Sequence, residues 1–329
     1  MRSLIVLALS CVPAMSSFGA PLPLEVLTPG ELLGAPVGSL VPANATAQYA
    51  LRSVSPDSGW LLFYDYGRNT AYLCDRRTGT LVQWPASWQQ GDNVYDLSWS
   101  QDGGHLVGQT YSPSSGEKWI VVNDLVGGAD DIRFRYDGRP LALTGEMKLI
   151  VITGDGGLAA IDLSSGRPGL PQPLAVEGMD SGGVINAAVF DGDILYVERQ
   201  LDGPFYAGQL CRLQIEGGAA RLAVAAERPP RVPLFTQMVP DPASDRWAVI
   251  QCGDSGTDPT CYIVADPAQD PRTGVAVASG MEYINLVGWA DNGRLLLFNG
   301  GDVGASVDAP LSNIHQLDVS NQLPISPGG

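Results

Sequence analysis

A repeat of roughly 45 residues constrains this chain more than any other feature. Six short apolar segments recur: WLLFYDY (Trp60–Tyr66), HLVGQTY (His105–Tyr111), KLIVITG (Lys148–Gly154), DILYVER (Asp193–Arg199), RWAVIQC (Arg246–Cys252) and RLLLFNG (Arg294–Gly300). Each is rich in strand formers and follows a turn-prone group: SPDSG, SQDGG, TGEM, FDG, PDPAS or ADNG. With Asp57, Asp102, Glu146, Asp191, Asp241 and Asp291 as turn markers, the successive spacings are 45, 44, 45, 50 and 50 residues. A second strand-like run then ends before a further turn, at Asp75, Asp124, Asp162, Gln214, Asp266 and Asp318. Aspartate suits such reversals because its carboxylate bonds its own backbone.

The stretch between one landmark and the next marker is long enough for two more strands. Four strands per unit predict an all-β, six-bladed β-propeller with four-stranded antiparallel blades. A β-sandwich would space its strands by about 8–12 residues without this longer period. Composition agrees: 40 Gly and 25 Pro supply many turns, and 45% apolar residues supply a core.

The segment SPDSGWLLFYDYGRNTAYLCDRRTG resembles the repeat of TolB-type, WD40-like propellers, and SQDGG and ADNG are degraded copies of its turn. The periodic pattern runs from about Thr46 to Ser320, with sharp similarity confined to the first repeat. The resemblance implies the propeller fold. It carries less about a Tol-system role, because about 25 residues (21–45) stand where TolB has an α/β domain, and the third repeat carries Gly145-Glu146-Met147 in place of Asp-Gly.

The expected organisation is therefore a propeller over 46–320 and a tail over 321–329. The segment 21–45 precedes the propeller. Within it, LPLEVL (Leu22–Leu27) is either the outer strand that closes the last blade or an ordered leader. Residues 1–20 combine Arg2, an apolar run from Leu4 and then small residues, the layout of a secretory signal peptide cleaved after Ala14, Gly19 or Ala20. Leu9 before Cys11 fits a lipoprotein motif poorly, so lipid anchoring is not favoured. No later run has the length of a membrane-spanning helix. A soluble periplasmic or secreted monomer is expected.

The net charge is −16, from 19 Lys+Arg against 35 Asp+Glu, and this excludes a sequence-independent grip on nucleic acid. Four cysteines follow the leader. Cys252 and Cys261 fall on facing strands of one hairpin and are expected to form a disulfide, whereas Cys74 and Cys211 read as buried thiols.

Several motifs carry no chemistry on inspection. Gly253-Asp254-Ser255-Gly256 looks like a serine-protease nucleophile segment but has no partner histidine motif, so it reads as a turn. The two histidines and the absence of a CxxC pair argue against a zinc site. No glycine-rich phosphate loop opens a helix.

Two candidate sites remain. Loops on one face offer Trp84, Trp88, Tyr66, Arg68, Arg199, Asp202, Phe205 and Tyr206, and aromatic rings beside arginine suit protein or glycan binding. The competing reading packs those rings between blades. At the starts of the inner strands lie Arg52, Asp96, Asn186, Gln237 and Asn285. They would either bind Ca²⁺ in a hydrolase or lactonase, or form a polar channel lining. Only Asp96 is anionic in that set, so the lining is favoured, without cofactor. The expected function is a non-catalytic module binding another extracytoplasmic protein or a glycan.

Overall fold

The computed structural model describes residues 25–26, 49–65, 69–76, 78, 80–85, 92–127, 131–177, 183–191, 193–201, 208–216, 219–228, 238–251, 259–281, 283–290, 293–301 and 314–319. Among them, regular structure is β-strand apart from one 3-10 turn at Pro271–Thr273. The first repeat is an antiparallel sheet of β2 (Tyr49–Val54), β3 (Trp60–Asp65), β4 (Thr70–Asp75) and β5 (Thr80–Trp84). The second is β6 (Asn93–Trp99), β7 (His105–Ser112), β8 (Glu117–Asp124) and β9 (Ile132–Arg135).

The third repeat, β10 (Arg139–Leu143), β11 (Lys148–Ile152), β12 (Leu158–Asp162) and β13 (Gln172–Glu177), shares an eight-stranded sheet with the fourth. The fourth comprises β14 (Gly183–Asp191), β15 (Ile194–Leu201), β16 (Gly208–Glu216) and β17 (Ala219–Arg228). Their outer strands pair in parallel, Ala175 with Ala219 and Glu177 with Arg221, so each covers the other's open edge. The fifth repeat is β18 (Met238–Pro240), β19 (Trp247–Gln251), β20 (Thr260–Val264) and β21 (Val275–Ala278). The last sheet holds β22 (Tyr283–Ala290), β23 (Leu295–Gly301) and β24 (Ile314–Asp318). Its outer strand comes from the other end of the chain, as β1 (Glu25–Val26), with Glu25 opposite Gln316.

The innermost strands touch in a circuit: β2 lies against β22, β22 against β18, β18 against β14, β14 against β10, and β10 against β6. A bond from the Trp99 indole to the Ser53 hydroxyl, 2.9 Å, joins β6 back to β2. The core is divided among the spaces between consecutive sheets. On β11, Leu149 and Val151 pack toward the second repeat, while Ile150 and Ile152 pack toward the fourth. On β19, Trp247 and Val249 face the fourth repeat, and Ala248 and Ile250 face the last. Side chains alternate across a strand, so a strand covered on both faces reads as an unbroken apolar run. Each such Leu, Ile or Val contributes about 1.5–3 kcal/mol over an exposed position.

In the first two repeats the turns between first and second strands share one hydrogen-bonding device. The Ser55 hydroxyl donates to Asp57 Oδ1 and accepts from the Trp60 N–H at 2.9 Å. The Ser100 hydroxyl does the same with Asp102 and His105. In the third repeat the Thr144 hydroxyl accepts the Lys148 N–H at 3.1 Å, and Met147 takes the left-handed conformation (φ 61°) that Ser58 (57°) and Gly103 (73°) adopt elsewhere. The turn geometry thus survives without Asp-Gly. The register also corrects the sequence markers. Asp191 pairs with Ile194, and Asp241 bonds Arg246, as Ser55 does Trp60, so these two aspartates occupy the Ser55 position rather than that of Asp57. Turn length varies between repeats, and that variation shifts the apparent spacing.

Asp241 anchors a buried network. Its Oδ2 accepts from Arg246 Nε at 2.6 Å, and the same guanidinium donates to the Val319 and Gly293 carbonyls and lies 5.0 Å from the Trp289 ring centre. One arginine therefore ties the fifth sheet to the last.

The disulfide expected between Cys252 and Cys261 is not found. Cys261 is a free, fully buried thiol on β20, packed in the apolar layer between the fifth and last sheets. The register places Ile250, not a cysteine, opposite it, and burial pushes its thiol up to about 12. Cys252 lies outside the described residues. Cys74 and Cys211 are buried free thiols.

Replacing Arg246 by Ala strands the Asp241 carboxylate, and a loss of about 3–5 kcal/mol is expected in urea unfolding. A loss below about 1 kcal/mol would show that the pair does not tie the sheets. Glu198 on β15 supplies a pH test, because burial pushes its carboxyl up to about 7 from an ordinary 4.5. Between these values the folded state holds a proton that the unfolded state has released, so stability falls as pH rises from about 4.5 to 7. Glu198→Gln should flatten that segment of the stability profile, measured by urea titrations across pH; an unchanged slope would refute the assignment.

Candidate functional site

The inner strands reach their turns around a cavity of about 690 Å³. Residues at matching register positions build it in layers. One layer comes from Ser53, Ser98, Ala142, Val189, Val239 and Gly288, and the mouth adds Ser55, Ser100, Asp191 and Asp241. Apolar walls come from Val54, Trp99, Phe190, Pro240 and Trp289. The two indoles are fixed by their N–H groups, Trp99 on the Ser53 hydroxyl and Trp289 on the Val239 carbonyl at 3.0 Å. Each bond links neighbouring repeats, so the wall is part of the ring's construction.

The mouth is chemically lopsided. Repeats one and two contribute hydroxyls already bonded to turn carboxylates. Repeats four and five contribute carboxylates. Asp241 is matched by Arg246, whereas burial, and next the charge of Asp245, raise the Asp191 carboxyl above its ordinary range. Asp245 is exposed on the fifth turn. Gln101 spans the rim, accepting the Gly145 N–H at 3.0 Å and donating to Asp193 at 2.9 Å.

The residues named from sequence are not brought together here. Trp84 is not a surface ring: it is 2% exposed and packs on the second repeat, where a Cβ on Gly108 would lie 2.5 Å from the indole. Arg199 is also buried, at 6% exposure, on the strand face that carries Leu195 and Val197 into the core, with Gln209 3.4 Å away. Both corrections have one cause, since neighbouring sheets cover strand positions that sequence reads as loop-proximal. Trp88, Tyr66, Arg68, Asp202, Phe205 and Tyr206 lie outside the described residues, as does Gln237.

Part-way along the inner strands, β2, β6, β10, β14 and β22 each carry a bulge. Arg52 and Asn186 stand at two of them. Arg52 is exposed, with its guanidinium 5.8 Å from the Tyr64 ring centre. Asp96 stands at a third, with φ 50°. Its Oδ1 is 3.8 Å from Arg139; burial raises its carboxyl, and Arg139 and Lys118 act against that. Asn285 is exposed and paired with Asn299. Among the described residues, no three His, Cys, Asp or Glu side chains stand together as a metal site. Sequence reading missed the serine and aspartate mouth although the markers lie beside it. The missing signal was the alternation counted back from each turn.

No protein-family model matches the chain, and no curated protein matches its sequence. Solved structures do. The β-propeller domain of Cps50 (Swd1) from Myceliophteria thermophila superposes with a TM-score of 0.50 at 12% identity, covering 86% of each chain. A putative TolB from Agrobacterium tumefaciens gives 0.46 at 14% identity, over 71% of this chain and 81% of that one. TolB from Acinetobacter baumannii gives 0.45 at 14% identity, over 88% of this chain and 66% of that one. The chain is an all-β propeller of antiparallel four-stranded sheets, and TolB-like and WD40-like propellers are the family its first repeat resembles. Among the described residues, no helix is long and apolar enough to cross a membrane.

The Trp99–Ser53 bond is expected to couple the first two repeats. In a double-mutant cycle of Trp99→Phe and Ser53→Ala, a coupling of about 0.5–1.5 kcal/mol is expected in thermal or urea unfolding. Additive losses would remove the bond from the account of the wall.

Proposed function

We propose that the chain is an exported, six-bladed propeller that binds another protein without catalysing a reaction, and that the turn-side mouth of its channel is the contact site. The observation that carries this reading is the cavity of about 690 Å³ into which the inner strands of all the repeats project. Its volume lies in the range that holds a small ligand or a short peptide segment. Its walls are apolar, with Phe190, Pro240 and Trp99 half-buried along them. The six blades are read from the six antiparallel meanders, with β1 completing the last.

A binding role is favoured over hydrolysis by the state of the mouth serines. Each hydroxyl is committed to its turn, donating to Asp57 or Asp102 and accepting the N–H of Trp60 or His105, and both serines are buried. The proposed module needs no cofactor. Export rests on residues 1–20, and the compartment is the periplasm or the exterior.

Ala243 lines the mouth, is exposed, and donates its backbone N–H to Asp241 at 2.9 Å. Ala243→Trp should therefore block the mouth while leaving the circular dichroism spectrum and melting temperature within a few degrees of wild type. Affinity capture from extracytoplasmic extract should yield a partner that this variant loses by tenfold or more. A partner retained at full strength refutes the site. A Ca²⁺-dependent rise in melting temperature together with ester or lactone turnover would replace the binding reading with the hydrolase one.

A further inference from the structure

We infer that the channel mouth takes a cationic side chain, arginine or lysine, from an extended segment of a partner protein, an inference that rests on the mouth being the contact site. The position that is Ser55 and Ser100 in the first two repeats is Asp191 in the fourth and Asp241 in the fifth. The two acids differ in one respect. Asp241 is compensated within the fold by Arg246, buried with it at 2.6 Å. Asp191 instead shares the cavity lining with a second acid, Asp245; burial first, and then the charge of Asp245, raises its carboxyl.

A like-charge pair at the rim of a cavity costs stability unless a cation joins it. A bound cation would offset both the repulsion and the cost of holding a charged carboxylate in the lining. The walls set the rest of the chemistry. The same lining carries Phe190 and Trp99, half-buried and aromatic, with the Trp99 indole N–H already engaged by Ser53. An arginine or lysine matches that sequence of surfaces, because its aliphatic stem lies along apolar groups while its charged head stays near water and carboxylate. A carboxylate-bearing segment would add a third negative charge to the same rim. A neutral apolar segment would leave Asp191 and Asp245 uncompensated. The net charge of −16 acts in the same direction, drawing basic segments toward the molecule at low salt.

The test uses the full chain and a bead library of hexapeptides carrying Arg, Lys, Gln or Glu at one fixed position and random residues elsewhere. Wild type should retain Arg and Lys beads at least fivefold over Gln beads, with Glu beads weakest. Asp191→Asn and Asp245→Asn should each erase most of that preference, and Ala243→Trp should abolish retention. Glu177→Gln, on exposed strand β13 away from the mouth, should leave it intact; an effect as large as that of Asp191→Asn would reduce the preference to net charge and overturn the inference. Equal retention of Arg and Gln beads, or a cation preference that survives both Asn variants, would also overturn it. If the library shows no cation preference while Ala243→Trp still loses a captured partner, the mouth stands as the site and the cation is wrong. If Ala243→Trp keeps the partner, the site itself is wrong.

Discussion

The architecture depends on each sheet being covered on both faces. A four-stranded antiparallel sheet of this length has too little apolar area to stand alone, and here each face is closed by the next repeat. The alternation on β11 and β19 makes the point at residue level: neighbouring residues on one strand belong to different layers of core. The ring is a chain of such layers. Its closure at the chain ends, where β1 joins β24, removes an edge that would otherwise be open to other strands.

Polar groups between the sheets do a second job, fixing how neighbours are oriented once they are packed. Arg246 holds Asp241 in its own turn and reaches two carbonyls and an aromatic ring of the adjacent repeat, and Trp99 and Trp289 each hand an indole N–H across a boundary. Dispersion and burial are non-directional and allow sheets to slide, whereas these bonds have one geometry. They also surround the cavity, so the elements that orient the repeats are the ones that shape the mouth. A propeller can vary its loops without disturbing this inner frame, and fold alone therefore does not set a partner.

The strand positions and the repeat were legible because local physics repeats with them. KLIVI and RWAVI announce strands buried on both faces, and Ser-Pro-Asp and Ser-Gln-Asp announce turns whose side chains bond their own backbone. The candidate sites were less legible. Trp84 and Arg199 lie at the ends of strands, and sequence alone places such residues toward loops; the adjoining sheet buries both. Cys261 has a cysteine nearby in sequence, but register sets Ile250 opposite it. The proposed contact site was hidden in the turn markers themselves, because Asp191 and Asp241 share a position with Ser55 only after differences in turn length are removed.

The sequence by itself determined the repeat, the strand content, the turn chemistry and the acidic charge, since each depends on residues near one another in the chain. Only the tertiary structure decided which side chains face solvent, which carboxylate finds an arginine, and which end of the channel holds the cavity. Those outcomes depend on contacts between repeats some 45 residues apart. Asp191 and Asp241 carry the same carboxyl group, but a guanidinium lies 2.6 Å from Asp241, whereas burial and then the charge of Asp245 raise Asp191.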